Sequence, residues 1–305
     1  TGAHWVSHSG QGDQLHAIYV VPINRRPSTQ TEIFDNELES DKEQWQRRIW
    51  GLHLIKREIL SERVSALQGE AFIYGLEEND SQRFQTPDRA YTTVGFRLFR
   101  EAQANQWDTD IESAYRSGTR YASSNPADTN SLEVRALMLI AALGYTFDMA
   151  WQPRLSLEYY YASGDDDPND NKFDQYERLF GGRRSDLNNT SIHGPLTPAN
   201  LSAPGLRLRV KPNDRIDGWF QYHRASLASA TDRWTVAKRR DPQGQSGKFI
   251  GHTLDARMRY WLVPQRMHLE VGESALLGGD FVEQAPDKPE AEDTYFGYVQ
   301  ATLHF

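Results

Sequence analysis

An all-β fold, a large antiparallel transmembrane β-barrel, is predicted by three features of the sequence. Short segments alternate apolar with polar residues, the connections between them are alternately short and long, and the last segment ends on an aromatic residue. Alternation with a period of two residues is typical of a strand whose two faces meet different environments. We therefore predict one transmembrane barrel domain over residues 1–305, in which residues 164–200 form a long extracellular loop.

The composition fits a barrel better than a soluble domain. Only 38% of the 305 residues are hydrophobic, although the chain has 14 Tyr, 13 Phe and 8 Trp. A barrel with one face in lipid and one in water needs no large aliphatic core, because its hydrophobic residues are spread over many short strands. No run of about 18 apolar residues occurs, so we expect no transmembrane helix. The absence of cysteine excludes disulfides and thiolate metal sites.

Alternation predicts thirteen strands, of which the segment 153–163 is the clearest. One parity carries Leu155, Leu157, Tyr159 and Tyr161, and the other carries Arg154, Ser156 and Glu158. Aromatic residues followed by a hydrophilic loop are typical of the end of a membrane strand. The full set of predicted strands lies near residues 4–8, 14–22, 45–57, 64–76, 90–100, 106–118, 132–147, 153–163, 201–211, 215–225, 250–261, 266–276 and 294–305.

The segment 132–147 does not divide into two faces. Both parities are apolar from Ala136 to Leu143, so periodicity does not separate a strand from a buried helix there. We favour a strand with a bulge, and a buried helix is the alternative.

The connections between the predicted strands alternate in length. Short turns are expected at residues 9–13, 59–63, 101–105, 148–152, 212–214 and 262–265. Long loops, charged or rich in Pro and Gly, are expected at residues 23–44, 77–89, 119–131, 164–200, 226–249 and 277–293. Short periplasmic turns and long extracellular loops are typical of bacterial outer-membrane barrels, so we expect the protein in the bacterial outer membrane.

The last predicted strand carries a further sign of this class. One face is formed by Tyr295, Gly297, Val299, Ala301, Leu303 and Phe305. An alternating strand that ends on Phe resembles the assembly signal of outer-membrane barrels, which makes the barrel-assembly machinery an expected partner at Phe305. Bacterial barrels have an even number of strands, and thirteen is odd. We therefore expect the sequence to be the C-terminal part of a longer barrel. The opening TGAHWVSHSG lacks the features of a signal peptide, so we expect a chain that is either mature and processed or without its beginning.

Charged residues on the polar parity are the candidate pore-lining and substrate-binding residues. The bases are Arg97, Arg116, Arg154, Arg207, Arg209, Lys211, Arg257, Arg259 and Arg266. The acids are Asp108, Asp110, Glu112 and Glu158, together with Glu70, Asp217, Asp255 and Glu270. Residues 201–270 carry six of these bases against three acids, which suits an anionic solute held by many weak contacts. The alternative is that bases and acids pair across the wall and only stiffen it.

Residues 158–187, EYYYASGDDDPNDNKFDQYERLFGGRRSDL, contain a motif with three parts. These are a strand end with Tyr160, Ala162, Ser163, Gly164 and Asp165, an acidic loop with Asp167, Pro168, Asn169 and Asp170, and a final part with Phe173, Asp174, Leu179, Phe180 and Gly181. The motif resembles the alginate-export family of outer-membrane proteins. The close match is confined to this stretch, and the rest of the chain agrees by architecture.

The resemblance implies an eighteen-stranded monomeric channel with a positively charged pore, through which an anionic uronate polysaccharide such as alginate leaves the cell. Five strands would then precede the present sequence, in line with the odd strand count. Export also implies a neighbouring periplasmic secretion scaffold as a partner. The family includes proteins whose substrates are not alginate, so the resemblance does not fix the cargo.

Two charged loops are further candidate sites. Asp165, Asp167 and Asp170 have the oxygen donors for Ca²⁺, the one candidate cofactor, although their spacing is not that of an EF-hand. We favour a solvated surface loop over a metal site here, and a divalent ion in the loop could also bridge to lipopolysaccharide. The basic run Lys238, Arg239 and Arg240 either contacts anionic lipid headgroups of the outer membrane or has no specific partner. The loop 164–200 is long enough to fold inward as a constriction or lid.

The sequence favours transport over catalysis. No GxSxG, HExxH or P-loop motif occurs, so we predict that the protein is not an enzyme. The formal charge of −8 disfavours nucleic acid as a partner. We predict a passive channel for an anionic polysaccharide or related acidic solute. The alternatives are an uptake porin for small acidic molecules or sugars and, less favoured, an adhesin or receptor that acts through its loops.

Overall fold

The computed structural model of the protein describes residues 1–60, 65–80, 85–179, 187–190, 192–286 and 292–305. These residues form an all-β fold with two short helices, α1 (Gln30–Phe34) and α2 (Asp280–Gln284). Within these ranges no helix is long and apolar enough to cross a membrane. The strands are β1 (Gly2–His8), β2 (Gln14–Val20), β3 (Ile23–Asn24), β4 (Lys42–Glu43), β5 (Arg47–Lys56), β6 (Gln68–Glu78), β7 (Ala90–Arg100), β8 (Gln106–Tyr121), β9 (Ser131–Thr146), β10 (Arg154–Ala162), β11 (Lys172–Phe173), β12 (Leu201–Asn213), β13 (Ile216–Ser226), β14 (Phe249–Val263), β15 (Met267–Gly278) and β16 (Thr294–Leu303).

Thirteen of these strands follow one another in a single large antiparallel sheet. Its order is β1-β2-β5-β6-β7-β8-β9-β10-β12-β13-β14-β15-β16, so each strand lies beside the next long strand of the chain. β11 pairs with β9, and β3 pairs with β4 in a separate small sheet. The prediction of thirteen antiparallel strands is confirmed. β1 and β16 end the order, and no ladder between described residues closes the sheet.

Contacts between Cα atoms divide the chain into two compact units. The first comprises Thr1–Arg97, Ala114–Arg135 and Asn171–Phe173, and the second comprises Leu98–Ser113, Ala136–Asp170 and Asp174–Phe305. The first unit therefore holds β1, β2, β5 and β6, the second holds β10 and β12 to β16, and β7, β8 and β9 contribute residues to both.

In the second unit the two faces of the sheet are reversed relative to a soluble protein. On β10, Leu157 is 61% exposed, whereas its neighbour Glu158 is 6% exposed. Leu157 lies opposite Leu206 on β12, and Leu208 lies opposite Phe220 on β13, so exposed apolar side chains continue from strand to strand. This unit therefore has an exposed apolar face and a buried polar face.

The first unit shows the same reversal. Leu52 on β5 and both Val94 and Phe96 on β7 are exposed. The opposite parity holds buried polar residues, among them Thr93 on β7 and Arg116 on β8. The period-2 prediction of one apolar and one polar face is thus met in each unit taken by itself.

The surroundings of β9 explain why the sequence of residues 132–147 does not divide into an apolar and a polar face. The segment is a strand, so the helix alternative is wrong, and no bulge interrupts its register with β10 from Met138 to Thr146. Leu137 and Leu143 are exposed with the apolar face. Met138 is buried on the opposite parity, and Ile140 packs there against a buried apolar cluster that includes residues of the long loops. The parity that is polar on neighbouring strands is apolar on β9 because the buried apolar cluster covers it.

The division between the faces has exceptions in the second unit. Arg224 on β13 and Glu273 on β15 are exposed and share the parity of the apolar face. Glu273 lies between Ala256 on β14 and Gly297 on β16, where small neighbours leave its carboxylate room. The parity rule therefore places most, but not all, charged residues of these strands.

Candidate functional site

A first network of charged residues lies on the polar face of the second unit. Arg154 on β10 donates from Nε to Asp108 Oδ2 on β8 at 2.8 Å. Further along β10, Glu158 accepts a hydrogen bond from Ser156 at 3.2 Å, and Arg207 Nε on β12 lies 3.2 Å from Glu158 Oε1. Glu158 and Arg207 are both buried, so their attraction is only weakly screened by water.

A glycine on β12 makes room for a third partner of Glu158. Gly205 lies opposite Glu158 on one side and opposite His223 of β13 on the other. A Cβ at Gly205 would stand 2.2 Å from His223 Cδ2, which no side chain could tolerate there. With glycine in place, the buried His223 approaches Glu158, with Nε2 at 3.6 Å from Oε2.

A second network connects β13, β14, β15 and β16 on the same face. Arg257 pairs with Asp217, and its Nη1 lies 3.4 Å from Glu270 Oε2. Arg259 donates from Nη2 to the same Glu270 oxygen at 2.9 Å. The hydroxyl of Tyr298 donates to the other carboxylate oxygen, Glu270 Oε1, at 2.7 Å. The buried Glu270 is therefore satisfied by two strands, one on each side of it.

Trp219 on β13 lies between the two networks. The guanidinium carbon of Arg207 is 5.6 Å from the ring centroid of Trp219, and that of Arg257 is 5.9 Å away. These are cation–π distances. The ring also lines a cavity of about 460 Å³, together with Asn188, Arg207, Arg209, Lys211, Asp217, Gln221 and Arg257. Bases outnumber acids around this cavity, so it suits an anionic group.

A second cavity of about 290 Å³ adjoins the first. It is lined by Asp108, Asp110, Arg154, Glu158, Tyr160, Arg207 and Arg209, among others. Arg207 and Arg209 line both cavities. The second unit thus has a polar track in which a basic section is followed by a section with more acids.

The polar face of the first unit has its own charged contacts. Arg97 Nη1 lies 3.6 Å from Glu70 Oε1, and His53 Nε2 lies 2.9 Å from Glu70 Oε2. Arg116 donates from Nε to Thr93 Oγ1 at 3.0 Å. Bases on this face are therefore neutralised or hydrogen-bonded by residues of neighbouring strands.

Most of the predicted pore-lining residues occupy the polar parity that the sequence indicates, and several of them form ion pairs. Arg154, Arg207, Arg257 and Arg259 each have an acidic partner. The last three belong to the six bases of residues 201–270, so half of those six bases form ion pairs with residues of neighbouring strands. Lys211 lies near the end of β12, where its Nζ is 3.0 Å from the exposed Asp214. Arg266 does not lie on a strand: it is exposed in the turn between β14 and β15, because β15 begins one residue later than predicted.

The long loops of the second unit cover the polar-face side of its sheet. Leu187, Leu196, Phe281 and Val282 from the loops form one buried cluster with strand residues Tyr160, Leu201, Ala203, Ala225, Ile250 and Leu276. Asn189 reaches further along the strands and donates from Nδ2 to the backbone oxygen of Ala256 at 2.8 Å. The expectation of an inward loop fits these contacts, while residues 180–186 and 191, including Phe180 and Gly181 of the motif, lie outside the described residues.

Asn189 also contacts the second network directly. The hydroxyl of Tyr298 lies 2.9 Å from Asn189 Oδ1. Gly272 on β15 leaves the space for this contact, since a Cβ there would stand 2.3 Å from Tyr298 Cε1 and 2.7 Å from Asn189 Nδ2. The long loop is therefore anchored beside the ion pairs of Glu270.

The acidic loop after β10 does not form the predicted metal site. Among the described residues, Asp165, Asp167 and Asp170 are not brought together into a group that could hold a metal ion. Asp167 instead accepts from the backbone of Asn169 at 3.0 Å in a local turn, and the backbone N–H of the buried Asp165 donates to Asp232 Oδ2 at 3.0 Å. Burial raises the pKa of Asp165 to about 6, and the nearby carboxylates, first that of Asp232, add to the rise.

Several residues of the site were missed by the sequence reasoning. Trp219 and His223 share the parity of Asp217, so the alternation of β13 contained the signal for both. Tyr298 likewise alternates with the apolar residues of β16. Asn189 lies in a long loop with no periodic pattern, and nothing in the sequence indicates its contact with the strands.

Comparison with known families completes the description. A family model described as Alginate export matches residues 32–296 of the chain. The matched range contains β5 to β15 entirely and begins after β1 and β2. No match is found among the curated proteins.

Proposed function

Because the chain belongs to the alginate export family, a family of outer-membrane β-barrel transport channels, we propose that it forms an outer-membrane channel for export of an anionic polysaccharide such as alginate. The family supports polysaccharide export through a channel in general, and it is not an enzyme family. The cargo, the cellular location and the partners of this particular chain are parts of the proposal.

The observation that carries the proposal is the reversed burial of the two faces. Exposed apolar area costs about 25 cal/mol per Å² in water, whereas hydrocarbon favours it. A base on the lipid face costs about 2–4 kcal/mol near the bilayer midplane, whereas a water-filled interior holds it at little cost. An exposed face of leucines with arginines and glutamates on the opposite face therefore fits a wall between lipid and an aqueous channel.

The basic cavity beside Trp219 supports an anionic cargo. The planar guanidinium of Arg209 can hold a carboxylate through two parallel hydrogen bonds, and Lys211, which pairs with the exposed Asp214, adds a second positive charge. Acids line the adjoining cavity, so a uronate chain would be attracted by the bases of the first cavity but not bound tightly at every sugar along its path. Weak, repeated contacts of this kind allow a polymer to enter and also to leave.

The inward long loops favour a second candidate, an uptake porin for small acidic solutes. Asn189 on the polar-face side narrows the space beside Glu270, as a constriction loop would. A small solute would pass such a constriction, whereas a polymer would require the loop to move. The two candidates therefore differ in whether the loop must open for transport.

Conductance of the purified chain in planar lipid bilayers tests the channel and its cargo together. Oligouronates of increasing length should reduce the conductance, and the block should strengthen with length, while neutral oligosaccharides of equal length should have little effect. Block by neutral sugars alone would overturn the anionic cargo. Permeation of short uronates with no effect of longer chains would favour the uptake porin.

A charge variant tests the basic cavity. In Arg209→Gln/Lys211→Gln we expect a lower anion-to-cation permeability ratio and weaker oligouronate block, because both bases line the cavity. The matched control is Arg215→Gln, which removes an exposed base from the turn between β12 and β13, outside the cavity lining. Equal reversal potentials for the wild type and the double variant would count against the assignment. Monomeric assembly, a periplasmic scaffold and insertion through the barrel-assembly machinery at Phe305 belong to the same proposal.

A further inference from the structure

A basic cleft interrupts the apolar face of the second unit beside its long loops. We call it the rim cleft, and it has a volume of about 520 Å³. Its lining includes Tyr161, Ser202, Arg224, Ser226, Lys248 and Phe249. All of these residues lie at the loop end of their strands or next to it, where β10 and β13 run into long loops and β12 and β14 emerge from them.

The register places the rim cleft at the border of the apolar band. Ser202 lies opposite Tyr161 on one side and opposite Ser226 on the other, in the last row before the loops. Towards the middle of the strands, Leu206 lies opposite Leu157, so an apolar surface begins two rows away. The cleft therefore adjoins apolar surface on one side and hydrophilic loop on the other.

Two bases of the cleft have no acidic partner among the residues that the structure describes. Arg224 is exposed, donates from Nη1 to Ser226 Oγ at 3.2 Å, and holds its guanidinium carbon 4.4 Å from the ring centroid of Phe249. Lys248 is exposed and donates from Nζ to the backbone oxygen of Ala228 at 2.6 Å. Across the described part of the chain, no carboxylate forms a salt bridge with either base.

The fixed position of Arg224 strengthens the case for a ligand. Its contacts with Ser226 and Phe249 orient the guanidinium without neutralising it. Asp280, in the first turn of α2, is the acid that lines the cleft, and it forms no salt bridge with the two bases within the described ranges. A base held in this way on an otherwise apolar face retains its capacity to bind an anion.

We propose that the rim cleft binds the phosphate group of a membrane lipid whose acyl chains lie on the neighbouring leucines. The Arg224 guanidinium can donate hydrogen bonds to two phosphate oxygens at once, and the Lys248 ammonium supplies a second positive charge. Aromatic residues such as Tyr161 and Phe249 favour the level of lipid headgroups. A lipid fits better than the exported polymer, because the cleft lies on the face opposite to the charged networks. The inference rests on the membrane location proposed above.

Native mass spectrometry of the full chain, freed of lipid in detergent, tests the cleft with bisphosphorylated lipid A as the probe. The expected dissociation constant is about tenfold lower for lipid A than for the same lipid after removal of both phosphates. Arg224→Gln/Lys248→Gln should abolish that difference. If both lipids bind equally to the wild type, the inference is wrong.

Three controls separate the cleft from general charge effects. Arg215→Gln removes an exposed base from the turn between β12 and β13, outside the lining of the cleft, and should leave lipid A binding within about twofold of the wild type. Asp280→Asn should leave it equal or tighter, because the acid opposes the phosphate. An equal loss in Arg215→Gln would show nonspecific attraction and would overturn the cleft. Displacement of lipid A by millimolar inorganic phosphate would assign the bases to a free anion and overturn the lipid.

Folding of the double variant is checked by its heat-modifiable mobility on gels. If the double variant does not fold, the exposed Lys248→Gln alone should weaken lipid A binding about threefold, and no change would overturn the inference. The double variant should retain the oligouronate block of the wild type, since the cleft lies away from the basic cavity. Absence of lipid selectivity in a wild-type chain that still shows the oligouronate block refutes only the rim cleft, whereas a wild-type chain without conductance refutes the channel.

Discussion

Replacing Leu157 with lysine tests the assignment of the exposed face to hydrocarbon. Leu157 is 61% exposed, lies near the middle of β10 and has Leu206 opposite it on β12. If this face meets water, the lysine stays solvated and stability changes by less than about 0.5 kcal/mol. If it meets lipid near the midplane, the cost is about 2–4 kcal/mol, which lowers the ratio of folded to unfolded protein by about 30- to 1,000-fold.

The assay is urea unfolding of the chain inserted in lipid vesicles, followed by tryptophan fluorescence. Met149 provides a matched control, since it is also 61% exposed but lies in the turn between β9 and β10. Met149→Lys should cost no more than about 1 kcal/mol, because the penalty for a base on the lipid face falls near the interface. Equal free energies of unfolding for the two variants would refute the reasoning, because equal exposure would then be the only property that mattered.

Three further outcomes are expected. Glu158→Gln leaves the buried guanidinium of Arg207 without its carboxylate, so urea titration should show that the free energy of unfolding falls by about 3–5 kcal/mol. The control Asp214→Asn changes a side chain that is 96% exposed and should alter this free energy by less than about 0.5 kcal/mol. Similar losses in both variants would contradict the buried pair. Folding raises the pKa of Asp165 from 3.8 to about 6, so its contribution to loop stability is present at acidic pH and is lost as the pH rises through about 6. Proteolytic cleavage of the loop should therefore accelerate from about pH 4 to 7 in the wild type but not in Asp165→Asn, and identical profiles would exclude this carboxyl. Gly272→Ala brings a Cβ within 2.3 Å of the Tyr298 ring and 2.7 Å of the Asn189 amide that anchors the long loop. It should lower the free energy of unfolding by about 1–3 kcal/mol and speed hydrogen exchange at residues 187–190. Unchanged exchange would refute the anchor.

The strands of this protein were predictable because their signal is local. Side chains alternate across a strand whatever lies beside it, so the order of Leu155, Ser156, Leu157 and Glu158 already separates two faces. The same alternation placed Arg207 and Arg257 on the polar face. It gave no clear result for β9, because apolar loop residues cover the parity that is polar elsewhere.

The acidic loop shows where composition misleads. Asp165, Asp167 and Asp170 supply oxygen donors, but the structure uses Asp167 in a local turn and buries Asp165 against a second loop. Ligand geometry depends on where the backbone turns, and loop backbones lack the periodicity from which a strand is predicted.

From the sequence alone came the fold class, the count of thirteen main strands and the two faces of these strands except β9, since all of these follow from the repeat of two residues along a strand. The tertiary structure decided which charges meet. Arg207 reaches Glu158 because β12 pairs with β10 in one register, although 48 residues separate them in the chain, and a shift by one residue would turn either side chain to the other face. It also decided that Asn189 lies beside Tyr298, because loop packing depends on contacts between segments that are distant in the sequence.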